Sequence, residues 1–259
     1  MSFKSFELHP QIQAGVEALG YEEPTPIQSR CIPLILNGRD VMGMAQTGTG
    51  KTAAFGLPIL QRLMSGPRRR VRALIIAPTR ELAEQIHEAI GQLGRKTKVK
   101  SVTVYGGVKQ NPQIRKLREG AEIVVACPGR LLDLMDQGVI DLTGLEVLVL
   151  DEADRMFDMG FMPDVRRILG RIPARRQTLL FSATMPEEIR DLARDILTDP
   201  VTVQVGEAAP VGTVSHALYP VEQHLKTALL MKILDRTDTD SVLVFTRTKD
   251  RATRVAKSL

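Results

Sequence analysis

From Val71 to Val205 the chain alternates two kinds of segment. One kind is short, β-branched and almost continuously apolar: Ala73–Ala77, Val99–Tyr105, Glu122–Ala126, Leu145–Leu150, Gln177–Phe181 and Val201–Val205. The other carries apolar residues at helical spacing: Arg80–Leu93, Asn111–Leu117, Arg130–Asp136, Met162–Leu169 and Glu187–Leu197. A strand that is apolar on both faces has to be covered on both. Strands separated by helices run parallel through crossover connections. The alternation therefore predicts an α/β fold: one doubly wound, mostly parallel sheet with helices on both faces. Ligands in such sheets bind outside the carboxyl ends of the strands, so the loops that follow the strands are where function is expected.

The first of those loops is Ala45-Gln46-Thr47-Gly48-Thr49-Gly50-Lys51-Thr52. It follows the short run Asp40–Met44 and opens a helical run from Ala53 to Leu63, so its context is strand, loop, helix. Backbone N–H groups gathered at a helix N-terminus bind anions. Gly48 and Gly50 reach backbone angles closed to other residues and let a polyphosphate approach. In the phosphate-loop pattern Lys51 reaches the β- and γ-phosphates and the Thr52 hydroxyl ligates Mg²⁺. Ala45 stands where the general pattern has Gly.

Upstream, Leu8, Ile12, Val16 and Leu19 mark a helical period that Gly20 stops. Then comes Tyr21-Glu22-Glu23-Pro24-Thr25-Pro26-Ile27-Gln28, whose prolines set an extended entry into a helix from Ile27 to Leu36 with Pro33 inside it. Two readings fit this elbow. Tyr21 stacks on a purine while Gln28 pairs with adenine N6 and N7, or the stretch is a helix-entry turn with a buried tyrosine.

The strand Leu145–Leu150 delivers Asp151-Glu152-Ala153-Asp154 to the same edge. With a phosphate loop upstream, that is how P-loop NTPases hold Mg²⁺ and position water. Asp151 takes the metal, through a water given the reluctance of Mg²⁺ to dehydrate. Glu152 orients or deprotonates the attacking water. Asp154 is expected to tie this loop to the phosphate loop. The next strand ends in Ser182-Ala183-Thr184, whose hydroxyls either exchange hydrogen bonds with the acidic loop and report the γ-phosphate, or cap the helix that starts near Pro186. Three further strand ends are Pro78-Thr79-Arg80-Glu81-Leu82-Ala83, Tyr105-Gly106-Gly107 and Cys127-Pro128-Gly129-Arg130. Their small residues, helix starts and arginines suit a phosphodiester backbone bound without base reading. Each alone is also an ordinary strand-to-helix turn, with Arg80 and Arg130 as structural ion-pair partners.

The net charge of +5 suits a polyanionic partner, and 4% aromatics with no Trp argues against base-stacking platforms. No run approaches the roughly 18 apolar residues that span a bilayer, and Met1–Phe6 lacks a signal-peptide core. Cys31 and Cys127 sit at no metal spacing and fit a reducing, cytoplasmic setting as small hydrophobes. The Arg68-Arg69-Arg70 run with Arg72 reads as a basic loop, solvated or touching nucleic acid. Residues 206–213, Gly206 to Thr213, read as a linker. A strand near Ser215–Pro220, a helix Val221–Leu234, a strand Ser241–Thr246 and a helix from Lys249 follow.

Taken together, Tyr21…Pro24–Gln28, Ala45–Thr52, Pro78–Ala83, Gly106-Gly107, Cys127–Arg130, Asp151–Asp154 and Ser182–Thr184 resemble, in order, the N-terminal half of a DEAD-box RNA helicase, with its bacterial RhlE-type branch the most similar. The resemblance covers the whole chain. It implies a RecA-like P-loop NTPase domain over residues 1–205, the start of a second RecA-like domain over 214–259, and ATP with Mg²⁺ and RNA bound in the cleft between such domains. By the match, Tyr21 and Gln28 select adenine and Phe3 takes the place of an upstream aromatic. Thr47, Gly48, Thr49, Gly50, Lys51 and Thr52 hold phosphates and Mg²⁺, and Asp151 and Glu152 serve metal and water. Pro78, Thr79, Arg80, Gly107, Pro128, Gly129 and Arg130 fall where the family holds RNA. Val244–Arg247 resembles the first motif of the second domain. The implied activity is RNA-stimulated ATP hydrolysis coupled to local duplex unwinding. Partners in RNA decay or ribosome assembly follow from the resemblance alone, and no membrane is implied. Cys127 replaces the family's usual threonine. The family's later motifs, including its arginine fingers, are not in these 259 residues, so the chain reads as a truncated piece that binds nucleotide and hydrolyses it poorly. An ATP-gated RNA clamp and a DNA-directed helicase are the competing readings.

Overall fold

The computed structural model describes residues 2–206, 215 and 217–259. The chain divides into two compact units, Met1–Glu207 and Ala208–Leu259. The first begins with a 3-10 turn, Phe3–Phe6, then α1 (Pro10–Ala18), α2 (Pro26–Leu36), β1 (Val41–Met44) and α3 (Lys51–Leu63). It continues with β2 (Ala73–Ile76), α4 (Arg80–Leu93), β3 (Ser101–Val104), α5 (Gln110–Arg118), β4 (Ile123–Ala126) and α6 (Pro128–Asp136). It closes with β5 (Val147–Leu150), α7 (Ala153–Asp158), α8 (Met162–Leu169), β6 (Gln177–Ser182), α9 (Glu187–Ile196) and β7 (Val201–Gln204).

The strands form one sheet in the order β3-β4-β2-β5-β6-β1-β7, parallel throughout. The two-residue period of a strand sends Ile75, Val149, Leu179 and Phe181 to one face, where they pack with buried side chains of α1 to α4. It sends Leu74, Ile76, Leu148, Leu150 and Leu180 to the other, against α5 to α9. Both faces are covered, which is why these strands read as continuous apolar runs. Because every strand points the same way, the loops that follow the strands, from the phosphate loop to Ser182–Thr184, emerge at one edge. Gly43 in β1 lies opposite Phe181 in β6, and a Cβ on Gly43 would stand 2.4 Å from that ring. Phe181 in turn packs on Phe55 of α3, ring centroids 5.5 Å apart. The strand before the phosphate loop, the helix after it and the neighbouring strand are thus locked by one aromatic contact.

Two features differ from the sequence reading. Helix α7 was not expected: at six residues it is too short to display a helical period. In the second unit the described part holds a 3-10 turn, Gln223–Leu225, with α10 (Lys226–Leu234) and α11 (Lys249–Ser258). The expected strand Ser241–Thr246 does not form. A strand exists only by pairing, and among the described residues nothing pairs with this one, whose Leu243 and Phe245 are 79% and 88% exposed. The described residues of Ser215–Pro220 form no strand either. His216 and, beyond Gly206, the expected linker lie outside the described residues.

Candidate functional site

The phosphate loop carries Gly48 and Gly50 at φ +84° and +93°, in the left-handed region that favours glycine. Among the described residues, no backbone N–H from Thr47 to Thr52 donates to a protein acceptor. These donors converge at the N-terminus of α3, where the helix dipole adds to them. Lys51 is buried, donates from Nζ to the Ala45 carbonyl at 3.0 Å, and lies 3.9 Å from Asp151 Oδ1. Thr52 is half-buried one position into the helix. Unpaired donors, a buried ammonium and an adjacent carboxylate fit a polyphosphate with a cation.

Asp151 follows β5, two strands from β1 with β6 between them. Burial pushes its carboxyl up to about 6, with Lys51 offsetting part of the rise. Glu152 occupies the left-handed region at φ 53°, strained for a residue with a Cβ. Its carboxylate accepts from Thr47 Oγ1 and from Arg155 Nη1, both at 2.9 Å. The tie between acidic and phosphate loops is therefore made by Glu152, and not by Asp154 as expected. Asp154 turns the other way. It accepts from the Thr184 N–H at 2.9 Å and the Thr184 hydroxyl at 3.0 Å, while its own N–H donates to Ser182 Oγ at 3.1 Å. Burial alone would raise the Asp154 carboxyl, but the bonds from Thr184, Ser182 and the Arg155 N–H hold it below its ordinary value. Among the described residues no cluster of three His, Cys, Asp or Glu is placed to hold a metal unaided. A divalent cation here would draw on phosphate oxygens and waters as well as Asp151.

Beside the loop, Gln28 is buried. Its Oε1 accepts from Thr25 N–H at 2.9 Å and its Nε2 donates to the Gly50 carbonyl at 3.1 Å. Thr25 Oγ1 donates to the Thr49 carbonyl at 2.8 Å. These bonds hold the N-terminal segment against the phosphate loop. An amide carries two N–H groups and two lone pairs, so one of each remains for a base. Tyr21 is exposed and packs at 5.8 Å on Phe3. Phe3 itself is buried and also meets Phe6, so it backs the tyrosine and does not present a face of its own. Phe3, Lys4, Glu17 and Tyr21 line a pocket of about 300 Å³.

The remaining strand ends come from β2, β3 and β4, adjacent at one side of the sheet. Pro78 is buried, and Thr79 caps α4 by accepting from Leu82 N–H at 3.3 Å. Arg80 is exposed and pairs with Glu81. Gly107 sits exposed at φ +82°. Pro128 begins α6, and Gly129 is exposed. Arg130 donates to the Val108 carbonyl at 3.2 Å and lies 3.6 Å from Asp133, joining the glycine loop to α6. The edge thus divides into a half on β1, β6 and β5 that carries the phosphate loop and the acidic strand end, and an arginine- and glycine-bearing half on β2, β4 and β3.

A family model described as DEAD/DEAH box helicase matches residues 25–192. The chain belongs to that family. It is 45% identical to the ATP-dependent RNA helicase DeaD of Escherichia coli (strain K12) over 260 residues, covering 100% of this chain and 41% of that protein. It is 40% identical to the DEAD-box ATP-dependent RNA helicase CshA of Geobacillus kaustophilus, covering 100% of this chain and 55% of that protein. Among solved structures, a DEAD box protein from the hyperthermophile Methanococcus jannaschii matches with a TM-score of 0.75 at 34% identity, covering 100% of this chain and 69% of that one. The chain spans about half the length of the curated relatives it matches. The helicase family model covers the phosphate loop, the acidic strand end and all three strand ends of the arginine-bearing half.

Sequence reasoning missed Thr25 and Arg155. Thr25-Pro26-Ile27-Gln28 has the spacing of a helix capping box, which was a readable signal. Arg155 lies on α7, whose presence decides where its side chain points, and nothing local announces it. The basic loop proves mainly structural. Arg68 pairs with Glu122 at 2.7 Å, and buried Arg72 pairs with Glu146 at 2.6 Å.

Proposed function

We propose that this chain is the nucleotide-binding part of an ATP-dependent RNA helicase, with ATP and Mg²⁺ as cofactors and RNA as the polymer bound. The observation that carries the reading is the shared edge: donors free to meet phosphate, a buried carboxylate pair and an arginine-bearing strand-end cluster emerge side by side from one parallel sheet. Tyr21 and Gln28 select adenine, with Phe3 supporting the tyrosine. Thr47, Gly48, Thr49, Gly50, Lys51 and Thr52 hold the phosphates. Thr52 and Asp151 serve the cation, which when bound neutralises charge on the transferring phosphoryl group. Glu152 orients or deprotonates the attacking water. Asp154, Ser182 and Thr184 couple the acidic loop to β6. Pro78, Thr79, Arg80, Gly107, Pro128, Gly129 and Arg130 hold the RNA backbone with little base reading. Residues 1–205 act as the RecA-like nucleotide domain, and 214–259 as the beginning of a second such domain joined through 206–213.

The chain by itself binds nucleotide and turns it over slowly, because no residue here matches an arginine finger, which is worth on the order of 10³–10⁵ in rate. The test is a steady-state ATPase assay with and without single-stranded RNA, on residues 1–259 and on a protein in which they are joined to a complete second domain. RNA-stimulated turnover in the joined protein only is expected. Turnover indifferent to RNA in both would overturn the helicase reading and leave an ATP-binding module. Stimulation by DNA in place of RNA would make it a DNA-directed enzyme.

A further inference from the structure

One exposed basic cluster is used by neither half of the edge. Asn111, Ile114, Arg115 and Arg118 recur at helical spacing along α5 and, with Glu119 just after it and Arg69 from the α3–β2 connection, line a groove of about 490 Å³. Arg69, Arg115 and Arg118 are all exposed. Elsewhere on the first unit some surface arginines are matched by acids, as in Arg166 with Asp195, Arg171 with Asp136 and Arg194 with Glu187, while among the described residues exposed Arg30, Arg70, Arg95 and Arg175 stand singly with no carboxylate within 4.0 Å. In the groove the one carboxylate is Glu119, 3.8 Å from Arg115. Among the described residues, no carboxylate lies within 4.0 Å of Arg69 or Arg118.

Arg69 is held in place at some cost. It adopts φ 62°, unfavourable for a residue with a Cβ, and it packs on Gly120, where an added Cβ would stand 2.8 Å from the Arg69 Cβ. Gly120, just after α5, thus makes room for the backbone of Arg69 and the base of its side chain. The groove follows α5, whose first turn lies near the carboxyl edge. Asn111 lies four residues after Gly107 in the chain, and α5 runs from that edge toward the opposite one.

We propose that this groove binds the phosphodiester backbone of RNA flanking the strand held at the carboxyl edge, an extension that rests on the RNA reading above. Three exposed arginines with a single carboxylate among them favour a polyanionic backbone through charge. Half-buried Ile114 gives the floor an apolar patch against which a ribose or base can rest. At 1.5 Å per residue α5 is about 13 Å long, about four nucleotides at the 3.4 Å rise of a stacked strand.

The test uses residues 1–259 at low salt and fluorescence anisotropy with oligouridylates of roughly six and roughly fourteen nucleotides, lengths that bracket the span of one binding fold. Two triple variants are compared with the unmodified chain: R69Q/R115Q/R118Q and R69K/R115K/R118K. The unmodified chain binds the longer RNA more tightly. The Gln variant loses about tenfold or more on the longer RNA, and the slope of log affinity against log salt flattens by about 2, from three contacts at about 0.7 each. Its affinity for the shorter RNA and for ADP, and its melting temperature, stay unchanged, and the Lys variant keeps most of the long-RNA affinity. Equal losses on both lengths, no loss on the longer RNA, or a Lys variant as weak as the Gln variant would overturn the groove. A glutamate-rich peptide that binds through these arginines while RNA length has no effect would assign the surface to a protein and overturn it too. Failure of the short RNA to bind the unmodified chain refutes the carboxyl-edge reading instead, so the two failures are distinguishable.

Discussion

Replacing Asp151 by Asn should change how the stability of the chain depends on pH. Asp151 is 2% exposed, and burial raises its carboxyl from 3.8 to about 6, with Lys51 at 3.9 Å offsetting only part of the rise. The sign follows from linkage. A carboxyl raised on folding holds its proton more tightly in the folded state, so folding is unpenalised where both states are protonated, below 3.8. The penalty grows as pH rises through the window between 3.8 and about 6, and is complete above it. A shift of about 2 units at about 1.36 kcal/mol each amounts to about 3 kcal/mol. Asn has nearly the same shape and cannot ionise, so it escapes the penalty. The unfolding free energy of the Asn variant minus that of the unmodified chain should therefore climb by about 3 kcal/mol between about pH 4 and pH 7.5. Urea denaturation followed by circular dichroism, in chelator and without nucleotide, measures it. Saturating Mg²⁺ and ADP should shrink or reverse the gap, because a cation beside the carboxylate favours its charged form. A gap that is flat with pH, or that falls as pH rises, would refute the reasoning, since it would mean that Lys51 already holds Asp151 ionised.

Gly50→Ala puts a Cβ 2.4 Å from Gln28 Nε2 at φ +93°. It should cost about 1–3 kcal/mol of stability and at least tenfold in ADP affinity by calorimetry, and an unchanged affinity would show that the Gln28–Gly50 contact does not shape the loop. Glu152→Gln, in a protein joined to a complete second domain, should leave nucleotide binding intact and lower turnover by roughly 10²–10⁴. Survival within a factor of about ten would remove Glu152 as the base. Arg72→Gln breaks a buried guanidinium's bonds to Glu146 at 2.6 and 3.1 Å and to the Ser65 carbonyl at 2.7 Å. A loss of about 3 kcal/mol is expected in urea denaturation, and a loss under about 1 kcal/mol would mean that water replaces these bonds.

Much of the fold was legible because its signals are local. Val147–Leu150 and Ile123–Ala126 are buried on both faces and show it in composition alone, and their order with intervening helices dictates a parallel sheet. The site's parts were legible for the same reason: each motif sits at a strand end, and parallel strands end together. What was not legible depends on long-range approach. Asp40 accepts the N–H groups of Thr178 and Thr198 at 2.8 and 2.7 Å, and buried Gln177 donates to the carbonyls of Ile35 and Arg39. These bonds pin the crossovers around β1, β6 and β7, yet nothing near Asp40 in sequence announces them. That Glu152 and not Asp154 reaches the phosphate loop has a backbone cause: Glu152 takes a left-handed conformation as it caps α7, which sends its side chain to Thr47. Ser241–Thr246 failed in the opposite way, since its β-branched composition is a local signal and strand pairing is not local.

The most direct test of the central claim, that the edge formed by β1, β5 and β6 is an adenine-nucleotide site, is isothermal calorimetry of residues 1–259 with ADP and with GDP in Mg²⁺, repeated for Gln28→Ala and Lys51→Ala. The account predicts one ADP per chain, markedly weaker GDP, loss of that discrimination in Gln28→Ala, and loss of binding to either nucleotide in Lys51→Ala. Equal affinity for ADP and GDP in the unmodified chain, or undiminished ADP binding in Lys51→Ala, would contradict it.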